Sequence, residues 1–166
     1  VINSTNKKFD FYSYGQIIRK EIPDISNFYI LHAGLIATLH DELIDEDYDD
    51  IQEEKFSRTS QKGWLGISDK FWITSLIPPS GKEFKTTFDY KDKFRANFVG
   101  TEPLELKGNS SIEDKLQVIV AAKRVDVIDG YAESLNIDKF DLTIDWGFLY
   151  FITKPLFYGI DYFFKL

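Results

Sequence analysis

Nine of the fourteen residues from Asp41 to Glu54 are carboxylates. Asp45, Asp47 and Asp49 repeat at the spacing that aims alternate carboxylates at one calcium ion. The match to a calcium loop fails at two positions, because Asp50 stands where the turn glycine belongs and Phe56 where the bidentate Glu belongs. Like-charge blocks stay in water, so this segment is expected to be a solvated loop, mobile and dispensable for stability. The two histidines, His32 and His40, could share a metal with Asp41 or Glu42. Eight residues of strand span roughly 26 Å, however, and only a bend at Ala33-Gly34 would bring the rings together. Cysteine is absent, which removes thiolate ligands, thiol nucleophiles and disulfides together. No G-x-S-x-G nucleophile elbow occurs, and Ser80-Gly81-Lys82 lacks the upstream glycine of a phosphate loop. Asn3-Ser4-Thr5 and Asn109-Ser110-Ser111 fit the glycosylation pattern, which is frequent by chance. The residues imply a domain that folds without metal or cofactor and carries no chemical active site.

The elements that would position any site are mostly strands. Phe84, Thr86, Phe88 and Tyr90 share one face, with Lys85, Thr87 and Asp89 opposite. Phe94, Ala96 and Phe98 alternate with polar residues, as do Leu104 and Leu106. Leu116, Val118, Val120 and Ala122 form another apolar row, and Phe140, Leu142 and Ile144 a further one. One dry and one wet face per strand predicts antiparallel sheets packed as a sandwich. Phe71 to Ile77 is apolar on both faces and predicts a central strand, ended by the turn Pro78-Pro79-Ser80-Gly81. Phe9 to Arg19 is a strand candidate with a bulge at Gly15. One interior stretch has helical spacing, with Val127, Ile128, Tyr131 and Leu135 on one face, although Gly130 weakens it.

A chain of 166 residues with 43% hydrophobic and 28% charged residues makes a single globular domain. Twenty basic against 27 acidic residues give a net charge of −7, which argues against nucleic acid as a partner. The chain begins Val1-Ile2-Asn3, contains no methionine and no signal peptide, and stops within an apolar pattern. It reads as an internal stretch of a longer protein. The last 21 residues, from Trp146, hold nine aromatics. Lys154, Pro155 and Asp161 interrupt the ~20 apolar residues that a membrane span requires. A buried core helix would also look apolar, but Trp and Tyr prefer the headgroup level, so a helix lying in a membrane interface fits best. Asp145 is the expected N-cap, with a kink or restart at Pro155. Leu156, Phe157, Ile160, Phe163 and Phe164 would form one apolar face, joined upstream by Trp146, Phe148, Leu149, Phe151 and Ile152.

Three stretches resemble a known family. Asp145-Trp146-Gly147-Phe148 followed by Phe151-Ile152-Thr153-Lys154-Pro155-Leu156-Phe157 looks like the passage from the large periplasmic domain of the YidC insertases into their next membrane helix. Gly63-Trp64-Leu65-Gly66-Ile67-Ser68-Asp69-Lys70-Phe71-Trp72 with Ile77-Pro78, and Tyr14-Gly15-Gln16-Ile17, resemble two further family signatures. Lys123-Arg124 stands where many relatives have a Gly-Pro-Lys turn. The resemblance implies an antiparallel β-supersandwich of the galactose-mutarotase-like type, here its later part, closed by a terminal helix. It divides the chain into a periplasmic sandwich, 1–144, and an interfacial helix, 145–166, that leads to a membrane helix. It also implies residence at the bacterial inner membrane on the periplasmic side, with the Sec translocon, nascent inner-membrane proteins and the membrane surface as partners. The family's hydrophilic groove and its essential basic residue lie in membrane helices outside this chain, so no catalytic residue carries over. A carbohydrate- or extended-ligand-binding sandwich is the alternative, and a deep groove with convergent polar groups would favour it. A mutarotase-like enzyme would need a His–Glu pair in a cleft.

Overall fold

A computed structural model describes residues 1–22, 32–146 and 150–164. In chain order the strands are β1 (Ile2–Asn3), β2 (Phe9–Phe11), β3 (Tyr14–Arg19), β4 (Gly34–Leu39) and β5 (Glu42–Asp47), followed by helix α1 (Tyr48–Glu53). Next come β6 (Phe56–Ser60), β7 (Gly63–Ser68), β8 (Trp72–Ile77), β9 (Phe84–Tyr90) and β10 (Phe94–Gly100). The chain continues through β11 (Leu104–Leu106), β12 (Ser110–Ser111), β13 (Gln117–Ala122), α2 (Val125–Leu135), a 3-10 turn (Phe140–Thr143) and α3 (Tyr150–Phe164). Among the described residues every strand pairing is antiparallel. A five-stranded sheet in the order β13-β8-β7-β4-β5 faces a four-stranded sheet in the order β3-β10-β9-β6, and two short ribbons, β1-β12 and β2-β11, complete the sheets.

The alternation of side chains assigns two cores to the two faces of the five-stranded sheet. Leu35, Ala37, Leu39, Leu65, Ile67 and Leu76 point at the smaller sheet and meet Phe84, Phe88, Phe94, Ala96 and Phe98. The residues between them, Ile36, Trp64 and Ile73, point the other way with Ile119 and Ala121 and are covered by Ile128, Ile137 and Phe140. The expected sandwich is therefore present, with a helical layer on its second face. From Ile73 to Ile77 β8 is covered on both faces, as its two-sided apolar pattern predicts, whereas Phe71 and Trp72 at its start are exposed.

Several local expectations are corrected. Phe9 to Arg19 is two strands in two different sheets, and Gly15 sits in regular register opposite Phe98 with no bulge. Gly15 is needed for space, since a Cβ there would lie 2.6 Å from the Phe98 ring. In β13 the buried residues are Ile119 and Ala121, whereas Val118 and Val120 are 58% and 63% exposed. The larger sheet has one more strand than the smaller, and β13 lies at its edge, which leaves that inner face of β13 open. Phe140 to Thr143 forms a 3-10 turn instead of a strand. At three residues per turn it buries both Phe140 and Thr143, and Thr143 Oγ1 donates to the Phe140 carbonyl at 2.8 Å. In α2 the buried residue is Ile128, while Tyr131 and Leu135 are exposed.

The acidic segment holds the largest correction. It is not a loop: it forms β5 and α1, joined to β4 by a tight turn in which His40 and Asp41 both have positive φ. Eight of the nine carboxylates remain in water, and Glu46 is half-buried, which raises its pKa, while Ile44, Tyr48 and Ile51 enter the core between the sheets. The Tyr48 ring packs edge-on against Phe94 at 4.6 Å, and burial pushes its hydroxyl pKa up to about 12. Ile51→Ala is expected to lower stability by about 2–4 kcal/mol in urea unfolding. Asp49→Asn, on the exposed face of the same helix, should stay within about 0.5 kcal/mol of the parent.

Candidate functional site

The terminal helix and the surface that seats it form the most distinctive site. The 3-10 turn buries Phe140 against Trp64, with ring centroids 5.3 Å apart and planes at 79°. That contact leaves Asp141 facing outward, where Lys154 and Trp146 converge on it. Lys154 Nζ donates to its carboxylate at 2.6 Å, Trp146 Nε1 donates to its carbonyl at 3.3 Å, and Lys154 stands 5.8 Å from the centre of the Trp146 ring. Thr153 Oγ1 donates to the Trp146 carbonyl at 2.8 Å, and Phe157 packs edge-on against Trp146 at 5.7 Å. One turn farther on, the Tyr158 hydroxyl donates to Asp129 of α2. Partial burial, then this carboxylate, push the Tyr158 pKa up to about 12, so the hydroxyl keeps its proton throughout the neutral range.

Helical spacing places Lys154, Phe157, Tyr158 and Asp161 on the seated side. The opposite side carries Ile152, Leu156, Ile160 and Phe163, which are between 51% and 74% exposed. Of the apolar residues expected from the sequence, Phe157 turns toward Trp146, whereas Phe164 and Phe151 are exposed. Phe148 and Leu149 lie outside the described residues. Helix α3 runs through Pro155 without a restart, and Trp146, next to the expected N-cap, serves as part of the seat. Periodicity missed Asp141, Asp129 and Lys154 because the seat is assembled from three elements. The polar stripe Lys154, Tyr158 and Asp161 within an otherwise apolar helix is the signal that could have found it.

The other candidate residues are dispersed. His32 and His40 lie at opposite ends of β4, with His40 exposed in the turn. His32 lines a cavity of about 170 Å³ beneath Trp146, together with Asp45, Ser68, Lys123 and Asp145. Its Nδ1 is 3.5 Å from Asp47, and burial draws its pKa down. Lys123 donates to Ser68 Oγ at 2.9 Å and to the Asp69 carbonyl at 3.2 Å, and burial likewise lowers its pKa. Among the described residues no cluster of three potential ligands is gathered for a metal ion, and no helix is long and apolar enough to cross a membrane.

The family model for the YidC periplasmic domain matches residues 1–159. The chain belongs to the YidC periplasmic domain family. It is 70% identical over all 166 residues to a membrane protein insertase YidC of Pelagibacter ubique, of which it covers 30%. It is 38% identical to that of Rhizobium johnstonii, with 92% of this chain and 26% of the relative aligned. For Rickettsia prowazekii the identity is 34%, over 99% of this chain and 30% of the relative. The chain thus spans less than a third of the length of these YidC relatives. All three family-like motifs find structural roles. Gly63 and Trp64 open β7 beneath the 3-10 turn, Gly15 lets Phe98 approach, and Trp146 with Lys154 builds the helix seat.

The seat generates a direct prediction. Lys154→Met keeps the aliphatic stem but removes the charge held by Asp141. Loss of a partly exposed ion pair worth about 1 kcal/mol should speed amide exchange in α3 roughly fivefold. Exchange in β4, β7 and β8 should stay unchanged.

Proposed function

We propose that the chain is the periplasmic module of a membrane protein insertase at the bacterial inner membrane. In this reading residues 1–144 are a rigid sandwich platform, and the segment 145–166 carries helix α3 (Tyr150–Phe164), which lies in the periplasmic membrane interface. The sandwich offers docking surface for Sec translocon components and for nascent inner-membrane proteins, while the helix fixes its height and orientation above the bilayer. Insertion itself falls to parts of the protein beyond this domain, so the role here is positional and not chemical.

The observation that carries the reading is the division of α3 into a polar seat and an open apolar row. A helix recruited to the domain core would turn that row inward; here Ile152, Leu156, Ile160 and Phe163 face away from both buried clusters. At about 2 kcal/mol for each large apolar side chain removed from water, the row supplies several kcal/mol for entering the interfacial region. The net charge of −7 gives no attraction to anionic lipid, so binding should be driven by this apolar contact.

Vesicle flotation of the intact chain against a Leu156→Ser, Ile160→Ser, Phe163→Ser variant tests the proposal. All three side chains are exposed, so the melting temperature should not move. Partitioning should fall roughly a hundredfold or more. Equal partitioning by both proteins would remove the interfacial role.

A further inference from the structure

The link between β7 and β8 is short, Asp69-Lys70-Phe71, and it displays apolar surface instead of hiding it. Phe71 is 64% exposed and Trp72 is 56% exposed. Lys70 is exposed as well, with its Nζ 5.1 Å from the centre of the Phe71 ring. Trp72 lies opposite Ala122 of β13, and Val120, on the same face of that strand, is 63% exposed.

The tip is held from both sides. The Asp69 N–H donates to the Trp72 carbonyl at 2.8 Å and closes the turn, and the Asp69 carboxylate pairs with Arg19 of β3. From the other side, the Lys123 N–H donates to the Phe71 carbonyl at 2.8 Å and Lys123 Nζ to the Asp69 carbonyl at 3.2 Å. Two aromatic side chains are thus presented on a fixed backbone, which lowers the ordering cost of binding. Ser68 and Lys123 also line the cavity beneath Trp146. The tip therefore stands at the end of the sheet where the chain enters α3.

Size and charge select the partner. A stable protein interface covers about 800 Å² on each side, far more than a three-residue tip offers. A lipid surface asks for only a few side chains: Trp at the headgroup level, Phe at the acyl boundary and Lys beside the phosphate. The acid of the turn, Asp69, is already paired with Arg19, so Lys70 leaves the tip positive although the chain as a whole is acidic. We infer that the β7–β8 turn is a second membrane contact, with Phe71 and Trp72 entering the headgroup region and Lys70 meeting lipid phosphate. The inference rests on the reading that the domain lies against the bilayer through α3. It adds a second point of contact, which stops the sandwich from rolling about the helix axis.

The chain has no cysteine, so one introduced as Lys70→Cys or Ser80→Cys carries a polarity-sensitive dye alone. Ser80 lies in the turn at the other end of β8. With vesicles of phosphatidylethanolamine and phosphatidylglycerol, the dye at 70 should shift to the blue and the dye at 80 should not. In flotation on the same vesicles, Phe71→Ser with Trp72→Ser should weaken binding roughly tenfold. Its melting temperature should not move, since both side chains are largely exposed. Lys70→Gln should weaken binding roughly fivefold on these vesicles and leave it unchanged on phosphatidylcholine alone. An unshifted dye at 70, or a Phe71→Ser, Trp72→Ser variant that floats like the parent, would overturn the inference and leave the α3 reading untouched. Failure of the α3 reading looks different: the Leu156→Ser, Ile160→Ser, Phe163→Ser variant would float like the parent.

Discussion

Phe140 is buried with its ring edge against the indole of Trp64, and the placement of the terminal helix depends on that contact. Trp64 belongs to the middle strand of the five-stranded sheet and Phe140 to the turn that ends the helical layer. Holding Phe140 down forces Asp141 outward, and Asp141 receives both Lys154 and the indole of Trp146. The sheet therefore dictates the position of α3 through one aromatic pair, one 3-10 turn and one carboxylate. An edge-to-face pair of this kind adds about 0.5–1.5 kcal/mol beyond its buried area, comparable to the ion pair downstream.

The five-stranded sheet can serve as this foundation because neither of its faces is left to solvent alone. Alternate residues of β4, β7 and β8 feed two separate cores, so a tilt of any of these strands would open both. Gly63 shows how tight the arrangement is: its φ is +127°, and a Cβ there would lie 1.7 Å from the Thr38 carbonyl oxygen. That close approach also sets Trp64 opposite Thr38 in the ladder, where its ring receives Phe140 beneath the seat of α3.

The strands whose apolar residues alternate on one face were legible in the sequence, as β9 and β10 illustrate with Phe84, Phe88, Phe94 and Phe98 all buried. The family motifs at Gly63–Trp72 and Asp145–Phe157 were legible as well, because glycine and tryptophan are costly to substitute where backbones touch and rings interlock. Charge hid the fold of the segment from Asp41 to Glu54. Ile44, Tyr48 and Ile51 are only three anchors among nine carboxylates, yet a strand and one turn of helix need no more once a core stands ready. Phase was hidden in β13, where Val118 and Val120 look as apolar as Ile119 but lie beyond the edge of the opposing sheet. The seat of α3 was hidden for a further reason. Asp129, Asp141 and Lys154 lie on three different elements, so no local period records the seat they build.

The central claim is that α3 presents Ile152, Leu156, Ile160 and Phe163 to the bilayer while Lys154, Tyr158 and Asp161 face the sandwich. The most direct measurement is oxygen accessibility of nitroxide labels placed singly from Phe151 to Phe163 on the vesicle-bound chain. Accessibility should rise and fall with the 3.6-residue helical period, with maxima at 152, 156, 160 and 163 and minima at 154, 158 and 161. A flat profile, or maxima at 154, 158 and 161, would contradict the account.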